Sequence, residues 1–146
     1  MANAVLAVSK EVLVVEDTAI DLRMILAALN AGANRKTITA VTDGEQALAH
    51  LNLQAHGAKP DLILLDLNLP RIDGWQVLGA CKTDPALKAI PVVVFTTSLA
   101  DSDVKRCYAL GANSFVTKPY DMDAFQGAVE MIERYWLGLS APWIRS

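Results

Sequence analysis

Five short apolar runs punctuate the chain, at residues 12–15, 38–41, 62–65, 92–95 and 115–116 with its flanks. Each has the length of a strand, and β-branched residues are frequent in them. The first, third and fourth are apolar at every position. A strand with one wet face would alternate, so unbroken runs imply that both faces are covered, as in a parallel sheet between helices. Helix-length segments separate the runs. Between residues 18 and 30, Leu22, Ile25, Leu26 and Leu29 recur at helical spacing, with Asp17 or Thr18 as a cap and Gly32 as a stop. Residues 44–51 place Ala47, Leu48 and Leu51 on one face, and residues 74–82 carry Trp75, Val77, Leu78 and Cys81. A more polar segment spans 101–110, and Asp121 opens a last helix that runs to about Leu137. Strand and helix alternate throughout. Right-handed crossovers then give an α/β, doubly wound, five-stranded parallel sheet with helices on both faces.

A chain of 146 residues fits one domain. The expected organisation is a lead-in over 1–10, a domain over 11–137 and a tail over 138–146, with no separate output domain. A hydrophobic fraction of 53% excludes a disordered chain. The net charge of −3, without any Lys/Arg run, argues against nucleic acid as a partner. No apolar stretch approaches the ~20 residues that span a bilayer, and residues 1–10 lack the pattern of a secretory signal. A cytoplasmic protein with no membrane partner is expected. Cys81 and Cys107 read as buried thiols in a reducing compartment. His50 and His56, in or just after the second helix, read as solvated surface residues.

In doubly wound sheets, ligands bind beyond the carboxyl ends of the strands. Glu16 and Asp17 follow the first strand, and Asp66 ends the third. Thr96 ends the fourth, before Thr97 and Ser98, and Lys118 ends the fifth. The topology brings these residues together. Three carboxylates and one ammonium leave a net −2, which raises carboxyl pKa values unless a cation enters. A divalent ion brings the sum to zero, and oxygen donors suit Mg²⁺. A carboxylate beside that cation, a hydroxyl and an ammonium can accept a phosphoryl group. No glycine-rich cradle follows the first strand, and the acidic residues there would repel a nucleotide phosphate. The phosphoryl group must therefore arrive on another donor.

Several motifs stand in a familiar order and spacing. They are Val-Leu-Val-Val-Glu-Asp at 12–17, Pro-Asp-Leu-Ile-Leu-Leu-Asp-Leu-Asn-Leu-Pro at 60–70, and Asp73-Gly74. Pro-Val-Val-Val-Phe-Thr-Thr-Ser follows at 91–98, then Gly111-Ala112 and Thr117-Lys118-Pro119. Over about residues 11–137 the chain resembles a bacterial response-regulator receiver domain of the CheY type. The resemblance implies a flavodoxin-like strand order 2-1-3-4-5 and a role in a two-component phosphorelay. It implies that Asp66 is the phosphoacceptor. Asp17 and Asp66 would ligate Mg²⁺ with the backbone carbonyl of Asn68, Glu16 would hold a metal-bound water, and Thr96 and Lys118 would contact phosphoryl oxygens. Phe115 stands at the family's aromatic switch position, where Tyr is commoner, so its switching would work through packing. Thr97 and Ser98 stand where modulating residues are expected, Thr97 in place of the usual Ala or Gly.

The Thr-Thr-Ser run, Asp66-Leu67-Asn68-Leu69-Pro70 and a last helix leading into Tyr135-Trp136-Leu137 resemble stand-alone regulators paired with phytochrome histidine kinases. That resemblance implies a sensor histidine kinase as partner and a homodimer. Phe125, Val129, Ile132 and Trp136 form one strip that can face the sheet. Ala124, Ala128, Met131 and Tyr135 form a second, continued by Leu137, Leu139, Trp143 and Ile144. The second strip would leave a larger apolar patch than monomers expose. Ala128, Met131, Tyr135, Trp136, Leu139 and Trp143 are therefore candidate dimer contacts, the alternative being a tail that folds back over its own domain. Two rival functions remain. A Mg²⁺-dependent phosphohydrolase with an aspartyl nucleophile would need a second carboxylate at position 68, where Asn stands. A phosphate-independent adaptor would have lost an acidic residue or the lysine, and all are present. The receiver reading makes the protein a signalling partner, not a turnover enzyme.

Overall fold

The computed structural model describes residues 9–53 and 59–144. His56, residues 1–8 of the lead-in and the last two residues of the tail lie outside the described residues. Five parallel strands form one sheet in the order β2-β1-β3-β4-β5. They are β1 (Lys10–Val15), β2 (Lys36–Val41), β3 (Leu62–Leu65), β4 (Val92–Thr96) and β5 (Ser114–Thr117). Between and after them run α1 (Ala19–Ala31), α2 (Gly44–Leu53), α3 (Gly74–Thr83), α4 (Asp101–Ala109) and α5 (Met122–Glu133). The first strand starts at Lys10, one residue inside the expected lead-in.

The unbroken apolar runs are explained by two core layers. Val12, Val14, Leu62, Leu64, Val93 and Phe95 face α1 and α5, where Ile25, Leu29, Phe125 and Val129 meet them. Leu13, Val15, Ile63, Leu65, Val92 and Val94 face the other way, onto Leu51, Val77, Leu78 and Cys107. Successive strand residues point to opposite faces, so a strand covered on both sides needs an apolar residue at every position. Every residue of β3 and β4 is buried, whereas β5, at the sheet edge, is half-buried throughout. Phe95 and Phe125 join sheet to helix edge-to-face, with ring centroids 5.1 Å apart.

Side chains fix several helix starts. Asp73 and Gln76 form a reciprocal capping box at α3, and the Asp121 carboxylate accepts from the Ala124 amide at α5. Thr18 stands at the cap position of α1 without a side-chain cap bond. His50 is half-buried on α2, less open than its polar character suggests.

The end of the chain departs from the expected α-helix. From Arg134 to Leu139 the backbone is π-helical. The wider turn adds a residue before the core face returns, so Leu137, only 4% exposed, takes the place expected of Trp136. Trp136 is half-buried instead, edge-on to Tyr135 with ring centroids 5.0 Å apart. The change of pitch follows directly after Glu133, which is fully buried. Its carboxylate pairs with the Lys36 ammonium at 3.3 Å and accepts from the Asn34 side-chain amide at 2.9 Å. That anchor ties α5 to the segment between α1 and β2.

Trp143 bears on a second expectation. Its indole packs against the core of its own domain, and Nε1 donates to the Pro60 carbonyl at 3.1 Å. The helix has ended at Ser140, and the short tail lets the large apolar ring reach both a surface to cover and a carbonyl to satisfy its N–H. The tail at Trp143 thus lies against its own domain, the alternative to a dimer contact, with the indole half-buried.

Cys81 and Cys107 are buried, and burial pushes both thiols up to about 11. The thiolate is the reactive form. A thiol-specific reagent at pH 8 is expected to leave the native protein unlabelled and to label both cysteines in denaturant; fast labelling of the native protein would contradict the packing.

Candidate functional site

The strand ends are extended by one backbone bond each, and these bonds set the site. The Glu16 amide donates to the Val41 carbonyl at 3.0 Å, and the Asp66 amide to the Val15 carbonyl at 3.0 Å. The Lys118 amide donates to the Thr96 carbonyl at 2.6 Å. Glu16, Asp66 and Lys118 are thus held at the carboxyl edge of the sheet. Gly74 brings the start of α3 down onto the loop after β3, its amide donating to the Leu67 carbonyl at 3.0 Å. A Cβ at Gly74 would collide with the Asp66 carbonyl. On the other flank Arg71 adopts a left-handed backbone, φ 65°, and its guanidinium lies 3.6 Å from the Asp43 carboxylate.

Carboxylate oxygens of Glu16, Asp17 and Asp66 lie within 4.8 Å of one another. Glu16 and Asp66 are buried and Asp17 is open to solvent. Three hard oxygen donors with one open side fit a divalent cation that keeps part of its water shell. Asn68 is exposed, and its backbone amide donates to Asp66 Oδ1 at 3.3 Å. Lys118 is buried with its ammonium in the middle of the cluster. It lies 2.6 Å from Glu16 Oε1, 2.8 Å from Asp21 Oδ2 and 3.1 Å from Asp66 Oδ2.

Thr96 is fully buried, and its hydroxyl has no hydrogen-bond partner among the described residues. An unsatisfied buried hydroxyl costs about 1–3 kcal/mol, which a ligand oxygen at the strand ends would relieve. Thr97 is exposed at the mouth. Ser98 turns away from the cleft: its hydroxyl donates to Asp103 Oδ2 at 2.6 Å and accepts from the Ala100 amide at 3.2 Å. It fixes the loop into α4. Phe115 is half-buried against the core, and its amide donates to the Tyr108 hydroxyl at 3.2 Å.

Asp21 is the residue that the motif reading missed. It stands in the first turn of α1, from which its carboxylate reaches the Lys118 ammonium. The acidic run at 16–21 carried the signal; the helix start between Asp17 and Asp21 hid that both face the same cleft.

Burial raises the Glu16 carboxyl to about 7, against the opposing pull of its hydrogen bond to Lys118 and with the help of the Asp66 charge. For Lys118, burial works to lower the ammonium pKa, but hydrogen bonds to Asp21 and Glu16 and the Asp66 charge outweigh it and hold it above its ordinary value. The lysine stays charged at neutral pH. A raised acid favours the folded state while protonated, so the Glu16 contribution is whole below pH 4.5 and lost as pH rises through about 7. In metal-free protein, the denaturant midpoint of the native chain relative to Glu16→Gln is expected to fall between pH 5 and pH 8. Mg²⁺ at pH 8 should narrow that gap. A difference that stays flat with pH would mean that Glu16 titrates as an ordinary carboxylate.

Comparison with known proteins agrees with this geometry. The response regulator receiver domain family matches residues 12–130. The response regulator Rcp1 of Synechocystis is 40% identical over 131 residues, covering 88% of this chain and 89% of Rcp1. A probable methanogenesis regulatory protein, FilR2 of Methanothrix harundinacea, is 39% identical over 137 residues, covering 92% and 86%. Among solved structures, the phosphorylated cyanobacterial phytochrome response regulator RcpA superposes with a TM-score of 0.88 at 40% identity, covering 92% of this chain and 99% of that one. The Mn²⁺-bound form of Rcp1 gives 0.86 at 37% identity, covering 92% and 99%.

Proposed function

The chain belongs to the response regulator receiver domain family, and from that premise we propose that Asp66 accepts a phosphoryl group from a sensor histidine kinase in the cytoplasm. As a receiver, the protein signals through phosphorylation, and receiver domains bind a divalent metal at an acidic pocket of this kind. No helix among the described residues is long and apolar enough to cross a membrane. One observation carries the assignment to Asp66: its buried carboxylate lies among the acidic trio and 3.1 Å from the Lys118 ammonium, at a strand edge that also holds the partnerless Thr96 hydroxyl.

In the transfer, an Asp66 carboxylate oxygen attacks phosphorus. The bond from phosphorus to the kinase histidine nitrogen breaks, the electron pair leaves with that nitrogen, and an acyl phosphate forms on Asp66. Asp17, Asp66 and the Asn68 carbonyl would hold Mg²⁺, with Glu16 reaching it through water. When bound, the ion supplies positive charge against the phosphoryl oxygens. Lys118 turns an N–H towards one phosphoryl oxygen, and Thr96 donates its hydroxyl to another. Thr96 and Lys118 end adjacent strands that lead into α4 and α5, so their displacement passes to those helices, with Phe115 repacking on β5. Asn68 offers no carboxylate to hydrolyse the intermediate, which supports a signalling protein over a turnover phosphohydrolase. The likeness to RcpA supports a phytochrome-type kinase.

Acetyl phosphate with Mg²⁺ is expected to add the mass of one phosphoryl group to the native protein and none to Asp66→Asn, read by intact-mass spectrometry. Chelation of the metal should abolish the addition. A phosphoryl group retained by Asp66→Asn would overturn the assignment.

A homodimer through the end of α5 is part of the same reading. Met131, Tyr135 and Leu139 are 70%, 48% and 79% exposed. With Arg134 and Gly138 they line a groove of about 550 Å³. Ala128 and Trp136, both half-buried, pack against the core of their own domain. A two-fold contact would cover the same surface on each partner. Light scattering at micromolar concentration is expected to give a dimer mass for the native chain and a monomer mass for Leu139→Asp; a monomeric native chain would remove the dimer.

A further inference from the structure

The three protons of the Lys118 ammonium have three carboxylate partners, at Glu16, Asp21 and Asp66. The ammonium thus donates to Asp21 and Asp66 and pairs with Glu16 before any phosphoryl group arrives. Two of the partners have other duties in the cleft. Glu16 and Asp66 share the acidic trio that fits the cation, and Asp66 is the group to be modified. Asp21 is outside that trio. It comes from the first turn of α1, its side chain is 22% exposed, and it opens with Lys118 and Thr97 onto a cavity of about 450 Å³.

The charges make this contact costly once the site is loaded. Phosphorylation turns the singly charged Asp66 carboxylate into an acyl phosphate of about −2, so that with Glu16, Asp17 and Asp21 the cleft stays net negative even with Lys118 and a divalent cation in place. The Asp21 carboxylate adds a further negative charge that neither the cation nor the phosphoryl group uses, and it draws the ammonium towards α1 at 2.8 Å, closer than Asp66 at 3.1 Å. Unit charges a few Å apart near a protein surface interact strongly enough to set such a balance.

We propose that Asp21 is a positioning residue for Lys118: it holds the ammonium in the unphosphorylated arrangement and competes with the phosphoryl oxygens for it. Asp21 thereby sets how readily the phosphorylated state forms. The proposal rests on Asp66 as phosphoacceptor and Lys118 as its phosphoryl contact. Its sign is unusual for a buried charge contact at a working site, because removing the contact strengthens ligand binding.

The test measures beryllofluoride binding, as a phosphoryl mimic, by calorimetry at saturating Mg²⁺ in the native chain, Asp21→Asn, Asp21→Glu and Asp66→Asn. Asp21→Asn keeps the shape and loses the charge, and its apparent affinity is expected to rise about tenfold. Asp21→Glu retains the charge and is expected to stay near the native value, which a purely structural role for position 21 would not produce. Circular dichroism melts on each variant check that the fold persists. An Asp21→Asn affinity equal to or weaker than that of the native chain overturns the proposal, as does a tighter Asp21→Glu. Failure of the reading beneath it looks different: the native chain would then bind no beryllofluoride, or Asp66→Asn would bind as the native chain does, and both would fall.

Discussion

The Lys118 ammonium is the fixed point of the cleft. A buried ammonium survives only if its charge is answered, and here Glu16, Asp21 and Asp66 answer it from three elements. Remove the lysine and the buried carboxylates repel one another; remove the carboxylates and the lysine loses its reason to stay charged. The sheet order places its strand beside β4, and the backbone bond from Lys118 to Thr96 keeps the two strand ends in step. Packing below and electrostatics above are thus joined at one side chain. The fully apolar central strands give a rigid floor, and the polar groups that do chemistry gather where the strands stop.

Much of this could be read from residues alone, for a physical reason. Doubly covered strands need apolar residues at every position, so β1, β3 and β4 announce both themselves and their burial. Once a parallel sheet is recognised, the residues after its strands are the candidates for function, and Glu16, Asp17, Asp66, Thr96 and Lys118 occupy those positions. Ser98 shows where the inference stopped. Its place beside Thr96 suggested the cleft, but a helix start two residues away and Asp103 one turn further on captured its hydroxyl.

Asp21 was hidden for a different reason. Reading strand ends overlooks a residue contributed by the following helix, since its direction depends on where that helix begins. The π-helical turn was hidden as well, because helical periodicity assumes a constant 3.6 residues per turn. Trp143 needed the third dimension: nothing in the tail itself says that the Pro60 carbonyl is within reach.

The wide turn at Arg134–Leu139 stores one residue of slack in the terminal helix. A π-turn holds one more residue than an α-turn over the same path. Deleting one residue between Ile132 and Leu137 would let the helix close to ordinary pitch with Leu137 four positions after Ile132, still on the core face. Closing the turn without a deletion would instead put Trp136 on that face and swing Leu137 by about 100° around the axis. A one-residue deletion is thus absorbed at this turn, whereas the same deletion inside the regular part of α5 would rotate everything downstream.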